Sequence, residues 1–163
     1  VLTLPDWQGG PFRKIVVCTD FSKTADRAID CAASVARQDG AALEIFTVTY
    51  PPELDSWGAV LEHAADSPTT YEEVCRAAIF KKMEQCRELH QAALDGVKHV
   101  SAILESQMTS VKITECVLSS HSDLVVIGTH DHSAIASHFM GTNAERLIQD
   151  APVSVFAVRC LVE

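Results

Sequence analysis

Apolar residues come in two rhythms along this chain. Short continuous runs of β-branched residues, the mark of strands buried on both faces, alternate with longer stretches whose apolar positions return every three or four residues, the mark of helices with one inward face. The run from Lys14 to Thr19 stops at Asp20 and predicts a first strand. Ser22 then stands where an N-cap belongs. Ala25, Ala28, Ile29, Ala32, Val35 and Ala36 fall at helical spacing, and Gly40 supplies a C-terminal stop. Ala42 to Thr49 reads as the second strand, closed off by Pro51 and Pro52. From Tyr50 to Thr69, Pro, Gly, Asp and Trp57 mix without a period, a loop long enough to act as a flap. Thr70 and Glu73 have capping-box spacing, and Tyr71, Cys75, Ala78, Ile79, Cys86, Leu89 and Ala93 trace one face of a long helix that Asp95 and Gly96 end. His99 to Leu104 gives a third strand. Ser110 is placed to cap a helix with Ile113, Val117, Leu118 and His121 inward, and Asp123 to Gly128 is the clearest buried strand of all. After a polar loop from Thr129, Gly141, Thr142 and Asn143 open a helix through Ala144, Leu147 and Ile148 that Pro152 stops, and Val153 to Arg159 is the last strand.

Five strands alternating with helices predict an α/β fold: a doubly wound parallel sheet with helices on both faces, because parallel strands need crossovers and helices supply them. Residues 1–12, with Pro5, Gly9, Gly10 and Pro11, read as an N-terminal arm, and residues 13–163 as one domain. The chain opens on Val1 rather than methionine, so a processed or trimmed start, or a cut from something longer, is expected. A chain of 163 residues, 47% hydrophobic and 21% charged, can bury a core without disulfides or metals to hold it.

Charge and cysteine content narrow the partners. A net charge of −9 argues against a nucleic-acid partner, whose phosphates select for a basic face. No apolar run approaches the ~20 residues that span a bilayer, so no membrane partner is expected and the cytoplasm is the expected address. The six cysteines, Cys18, Cys31, Cys75, Cys86, Cys116 and Cys160, form no C-x-x-C pair. No zinc or other metal site is therefore expected, and most of these thiols, set among apolar neighbours, read as small buried hydrophobes.

In an open parallel sheet, ligands collect beyond the C-terminal ends of the strands where the strand order reverses. The residues at those ends are Thr19 and Asp20, Val48 and Thr49, and Gly128, Thr129, His130 and Asp131. Here the sequence resembles the universal stress protein family, through Ile15 to Ser22, Leu124 to His130, Gly141 to Arg146 and Ala151 to Arg159, a likeness that runs from Lys14 to Arg159. The resemblance implies the strand order 3-2-1-4-5, an adenine nucleotide alpha hydrolase-like fold, and a homodimer joined through the last strand, Val153 to Arg159, which Val155→Lys is expected to break. Nucleotide-binding members carry a glycine, two residues, a second glycine, nine residues, then glycine with Ser or Thr. By that resemblance Asp20 and the backbone of Val48 would face ribose and adenine, Gly128, Gly141, Thr142 and Asn143 would approach the phosphates of ATP, AMP or another adenine nucleotide carried with Mg or Mn, and Cys18, Thr19, Ile127, His130 and Asp131 would complete the site. A helix N-terminus offers unpaired N–H groups and a positive dipole end to such an anion.

One position departs from the pattern: Asp131 stands where the middle glycine belongs. Aspartate tolerates a left-handed turn, but its carboxylate beside phosphate is repulsive by about 4 kcal/mol at ~4 Å and an effective dielectric of ~20. Each motif residue also has a plainer reading. Asp20 can hold the turn or cap the first helix with Ser22, Thr142 with Glu145 can cap its own helix, and Gly128 and Gly141 can serve backbone geometry alone. His130, His132 and His138 with Asp131 can form a metal site, although polar-loop histidines are more often solvated. No nucleophile-and-base pair stands out, so no catalytic residue is named. The expected function is a stress-response or regulatory protein that works by binding. The alternatives are a dimeric interaction module without ATP binding, a slow nucleotide hydrolase, and an electron-transfer or nucleotidyl-transfer domain on a related scaffold.

Overall fold

The computed structural model describes residues 9–49, 71–105, 109–129 and 142–159. Five strands, β1 (Lys14–Cys18), β2 (Ala42–Thr49), β3 (His99–Glu105), β4 (Leu124–Thr129) and β5 (Ser154–Arg159), form one sheet in the order β3-β2-β1-β4-β5. Every pairing is parallel. The helices are α1 (Lys23–Asp39), α2 (Tyr71–Leu89), α3 (Gln91–Leu94), α4 (Thr109–Ser119) and α5 (Thr142–Asp150). The doubly wound parallel sheet is the one that the alternation of strands and helices predicts, and its order is the one that the family resemblance implies. The flap from Tyr50 to Thr69 and the cap at Thr70 lie outside the described residues, as do residues 1–8 of the arm.

The alternation of side chains along each strand divides the core in two. Ile15, Val17, Leu43, Ile45, Leu124 and Val126 pack on one face against Ala28, Ile29, Ala32 and Ala36 of α1, Met83 and Cys86 of α2 and Leu94 of α3. Val16, Cys18, Phe46, Val125, Ile127 and Val155 pack on the other against Ile113, Cys116 and Val117 of α4 and Leu147 of α5. β1 and β4 are covered by helices on both faces, which is why their sequences are continuously apolar.

Local signals set the ends of α1. The Ser22 hydroxyl accepts the Ala25 N–H at 3.2 Å, and Gly40 at φ 68° closes the helix by donating its N–H to the Ala36 carbonyl. The left-handed turn is open to glycine without penalty. At the opposite, N-terminal end of the strands, the Asp123 carboxylate accepts the N–H groups of both Arg13 and Lys14, at 2.9 and 3.1 Å, and Asp39 accepts that of Phe12 at 2.8 Å.

Three details correct the sequence reading. The long helix breaks at His90 into α2 and α3, and its buried stripe is Met83, Cys86, His90 and Leu94 rather than a stripe containing Leu89, which is 67% exposed. A helix that turns His90 inward turns its neighbour Leu89 out, because successive residues lie about 100° apart. On α4, Ser110 sits inside the helix rather than at its cap, and Cys116 occupies the inner position expected of Leu118, which is 55% exposed. His121 also faces solvent, at φ 53°, in the turn that reverses the chain into β4. No helix among the described residues is long and apolar enough to cross a membrane.

Candidate functional site

The sheet order reverses at β1, which has β2 on one side and β4 on the other. Cys18 pairs with Ile127 across the ladder, so the next residues along, Thr19 and Gly128, sit side by side at the C-terminal edge. The chain turns sharply after β1. The Thr19 N–H reaches the Phe46 carbonyl at 2.9 Å, and the buried Thr19 hydroxyl oxygen accepts the Phe21 N–H at 3.0 Å. Asp20 is exposed, and one of its carboxylate oxygens accepts the Ser22 N–H at 3.0 Å. Between these two side-chain turns Phe21 holds φ 63°, a left-handed conformation that costs a bulky residue about 1–2 kcal/mol. The turn thus presents Asp20 at the crevice while the first turn of α1 begins immediately behind it.

The other expected site residues divide by which atoms they offer. The side chains of Cys18 and Ile127 are buried in the second core, and Val48 packs at its margin, so these three offer backbone rather than side chain to the strand ends. Burial pushes the Cys18 thiol well above its ordinary range, with Cys116 close by adding to the effect, and the thiol stays neutral. At Gly128 a Cβ would stand 3.0 Å from the Thr24 carbonyl carbon and 3.1 Å from the Ala25 nitrogen. The first turn of α1 therefore lies directly on β4 there, and this close approach of two backbones favours glycine whether or not a ligand binds. Thr129 is buried, its hydroxyl donating to the Val158 carbonyl at 3.2 Å. Thr142 and Asn143 open α5, which runs back from the end where β4 finishes, so its N-terminus lies at the crevice edge of the sheet. His130, Asp131 and Gly141 lie outside the described residues, as do His132 and His138.

A second polar group lies between α1 and α2, and the sequence reading missed it. His90 on the inner face is flanked by Asp30, 2.8 Å from Nδ1, and Asp26, 3.2 Å from Nε2, with Cys86 one helical turn before it. Cys86 and His90 are four residues apart on a helix, a spacing visible in the sequence. The carboxylates that complete the group come from α1, 60 and 64 residues earlier, and only the fold brings them together. A shallow depression lined by Glu84, Arg87, Glu88, Leu94, Asp95 and His99 opens at the start of β3, away from the strand ends that form the crevice.

An open parallel sheet with helices on both faces, whose strand order reverses beside a polar turn and a helix N-terminus, defines an α/β domain of the doubly wound class. The universal stress protein family profile matches residues 11–159, and the chain belongs to that family. A curated relative from Thermus aquaticus, described as "Universal stress protein in QAH/OAS sulfhydrylase 3'region", is 27% identical over 150 residues, covering 91% of this chain and 99% of the relative. Among solved structures, the universal stress protein UspA from Lactobacillus plantarum superposes with a TM-score of 0.70 at 17% identity, covering 93% of this chain and all of that one. A universal stress protein in complex with cAMP gives 0.67 at 20% identity, with 92% and 98% covered. One from Archaeoglobus fulgidus in complex with dAMP gives 0.61 at 19%, with 91% and 98% covered. At these identities the structural likeness speaks to the fold.

Proposed function

We propose that this protein is a cytoplasmic regulatory member of its family that works by binding an adenine nucleotide rather than by turnover, in the crevice beyond β1 and β4. The observation that carries the reading is the adjacency of Thr19 and Gly128 at the point where the strand order reverses, with the exposed Asp20 and the N-terminus of α5 at the same edge. Asp20 is suited to ribose hydroxyls, and the helix N-terminus to phosphate. The relatives bound to cAMP and dAMP support an adenine ligand. Denaturing the purified protein and identifying released nucleotide by mass spectrometry tests the proposal. A stoichiometric adenine nucleotide supports it, and failure to bind any added adenine nucleotide in calorimetry overturns it.

Asp131 favours a second reading, a dimeric interaction module without ATP, because its carboxylate occupies a glycine position of the phosphate loop. Absence of ATP binding by the wild type, Asp131→Gly and Asp131→Asn alike leaves the interaction module standing, whereas binding by them separates two roles for the carboxylate. If phosphate is received there, Asp131→Gly should tighten ATP binding by about ten-fold or more, and Asp131→Asn should recover part of that gain. If Asp131 instead holds a Mg or Mn ion bridging to the phosphates, both substitutions should weaken binding and remove its dependence on the metal. Calorimetry with and without the metal reads the sign.

The proposed homodimer joins through β5, which forms one edge of the sheet. Ala157 on this strand is half-buried and stands outside both core clusters, so it is the position at which to place a charge. Ala157→Lys is expected to shift a dimer to monomer in sedimentation velocity while leaving the fold intact. A dimer unchanged by it points to another interface.

A further inference from the structure

We propose that Asp26, Cys86 and His90 form a binding site for a zinc-class divalent cation, with Asp30 orienting the histidine. The carboxylate oxygen of Asp26, Sγ of Cys86 and a ring nitrogen of His90 all lie within 4.8 Å of one another. Tetrahedral bonds of roughly 2.0–2.3 Å set ligand atoms roughly 3.3–3.6 Å apart, and Nε2 of His90 is already 3.2 Å from Asp26 Oδ1.

The orientation of the imidazole makes this more than a chance meeting of polar groups. Nδ1 donates to Asp30 Oδ1 at 2.8 Å, which directs Nε2 into the corner formed by Asp26 and Cys86. A carboxylate on the far nitrogen is the usual second partner of a metal-bound histidine, fixing the ring and raising its basicity. His90 is 4% exposed and Cys86 is buried, whereas Asp26 reaches solvent, so the site is closed by protein on one side and open to a water ligand on the other. One thiolate, one imidazole and one carboxylate is a donor set for zinc, and cobalt(II) is its spectroscopic substitute. Magnesium and calcium prefer oxygen ligands throughout.

Binding exchanges protons for the cation. Without a cation the Cys86 thiol is held neutral, burial and then the Asp26 carboxylate raising it to about 11. A divalent ion takes the place of the thiol proton and of any proton on Nε2, and the released protons pass to solvent. The site joins two helices that cover the same face of the sheet, and it is independent of the nucleotide reading.

Cobalt(II) and zinc titrations of the full chain, freed of metal by a chelator and kept free of nucleotide, test the proposal. The expected result is one cobalt per chain with a sulfur-to-cobalt charge-transfer band, displaced by zinc. Cys86→Ser should abolish the band and weaken zinc binding at least ten-fold, and zinc should raise the melting temperature of the wild type but not of this variant. Asp30→Asn, an exposed change that leaves all three ligands in place, should keep the band and weaken binding about 10- to 100-fold. A band that survives Cys86→Ser overturns the site, as does cobalt uptake with a six-coordinate, sulfur-free spectrum. Absence of uptake overturns it equally.

Discussion

Val155→Lys is expected to prevent folding rather than to release a monomer. Val155 is 3% exposed and lies in the core formed with α4 and α5, pairing in register with Val125 of β4. An ammonium group there must stay charged in an apolar surround or give up its proton, and either outcome removes packing that β4 and α5 depend on. The loss should exceed about 4 kcal/mol, a large part of the 5–15 kcal/mol that holds a domain of this kind together. Circular dichroism and urea unfolding of the variant measure it, and a cooperatively folded Val155→Lys protein within 1–2 kcal/mol of wild type would contradict the core assignment. From the sequence, the apolar character of this strand reads as an interface. The structure gives a nearer reason for it, since Val155 and Val158 are buried in the two core clusters on either face. Only the edge of the strand is left for a partner.

Gly128→Ala should cost about 1–3 kcal/mol, because the added methyl meets backbone atoms of Thr24 and Ala25 that cannot rotate away. For a domain of this size that corresponds to a melting temperature lower by roughly 3–10 °C. Scanning calorimetry without nucleotide is the measurement. An unchanged melting temperature would mean that α1 slides to make room, and that the glycine serves the ligand alone. The expected loss instead assigns Gly128 to the seating of α1 on β4, whatever it does for phosphate.

What could be read in advance followed the range of the interactions. Ser22, Gly40 and the continuous apolar run of β1 act within a few residues, so capping, termination and burial were all legible around α1. The inner face of α2 was not, because hydrophobicity alone favours Leu89 over His90. It is Asp26 and Asp30, on another helix, that satisfy the imidazole and allow it inward. The same distance in sequence hid the Asp26, Cys86 and His90 cluster, because the sequence reading weighed C-x-x-C spacing and the loop histidines for a metal, and neither involves these residues. The crevice was legible in part. Strand ends and order pointed to Thr19, Asp20 and Gly128, while the demand that α1 makes on Gly128 is invisible until the helix is seen resting on it. The buried Cys18 and Ile127 side chains show that a residue can stand at a strand end and still turn its side chain to the core.

The position of β1 has a consequence for the order of events as the chain is made. Its partner on one side, β2, follows after a single helix, whereas β4 arrives late: the Asp123 carboxylate that fastens the Arg13 N–H comes 110 residues after it. A nascent chain can therefore form β1, α1 and β2 as a local unit while one edge of β1, with its row of unsatisfied amide groups, remains open until Leu124 to Thr129 emerge. Closing so long a loop is an entropic barrier that sets a slow folding step, and an unpaired apolar edge during that wait invites pairing with a neighbouring chain. Ribosome stalling before β4 should thus yield species that aggregate through their first strand, and release of the remaining segment should end that vulnerability.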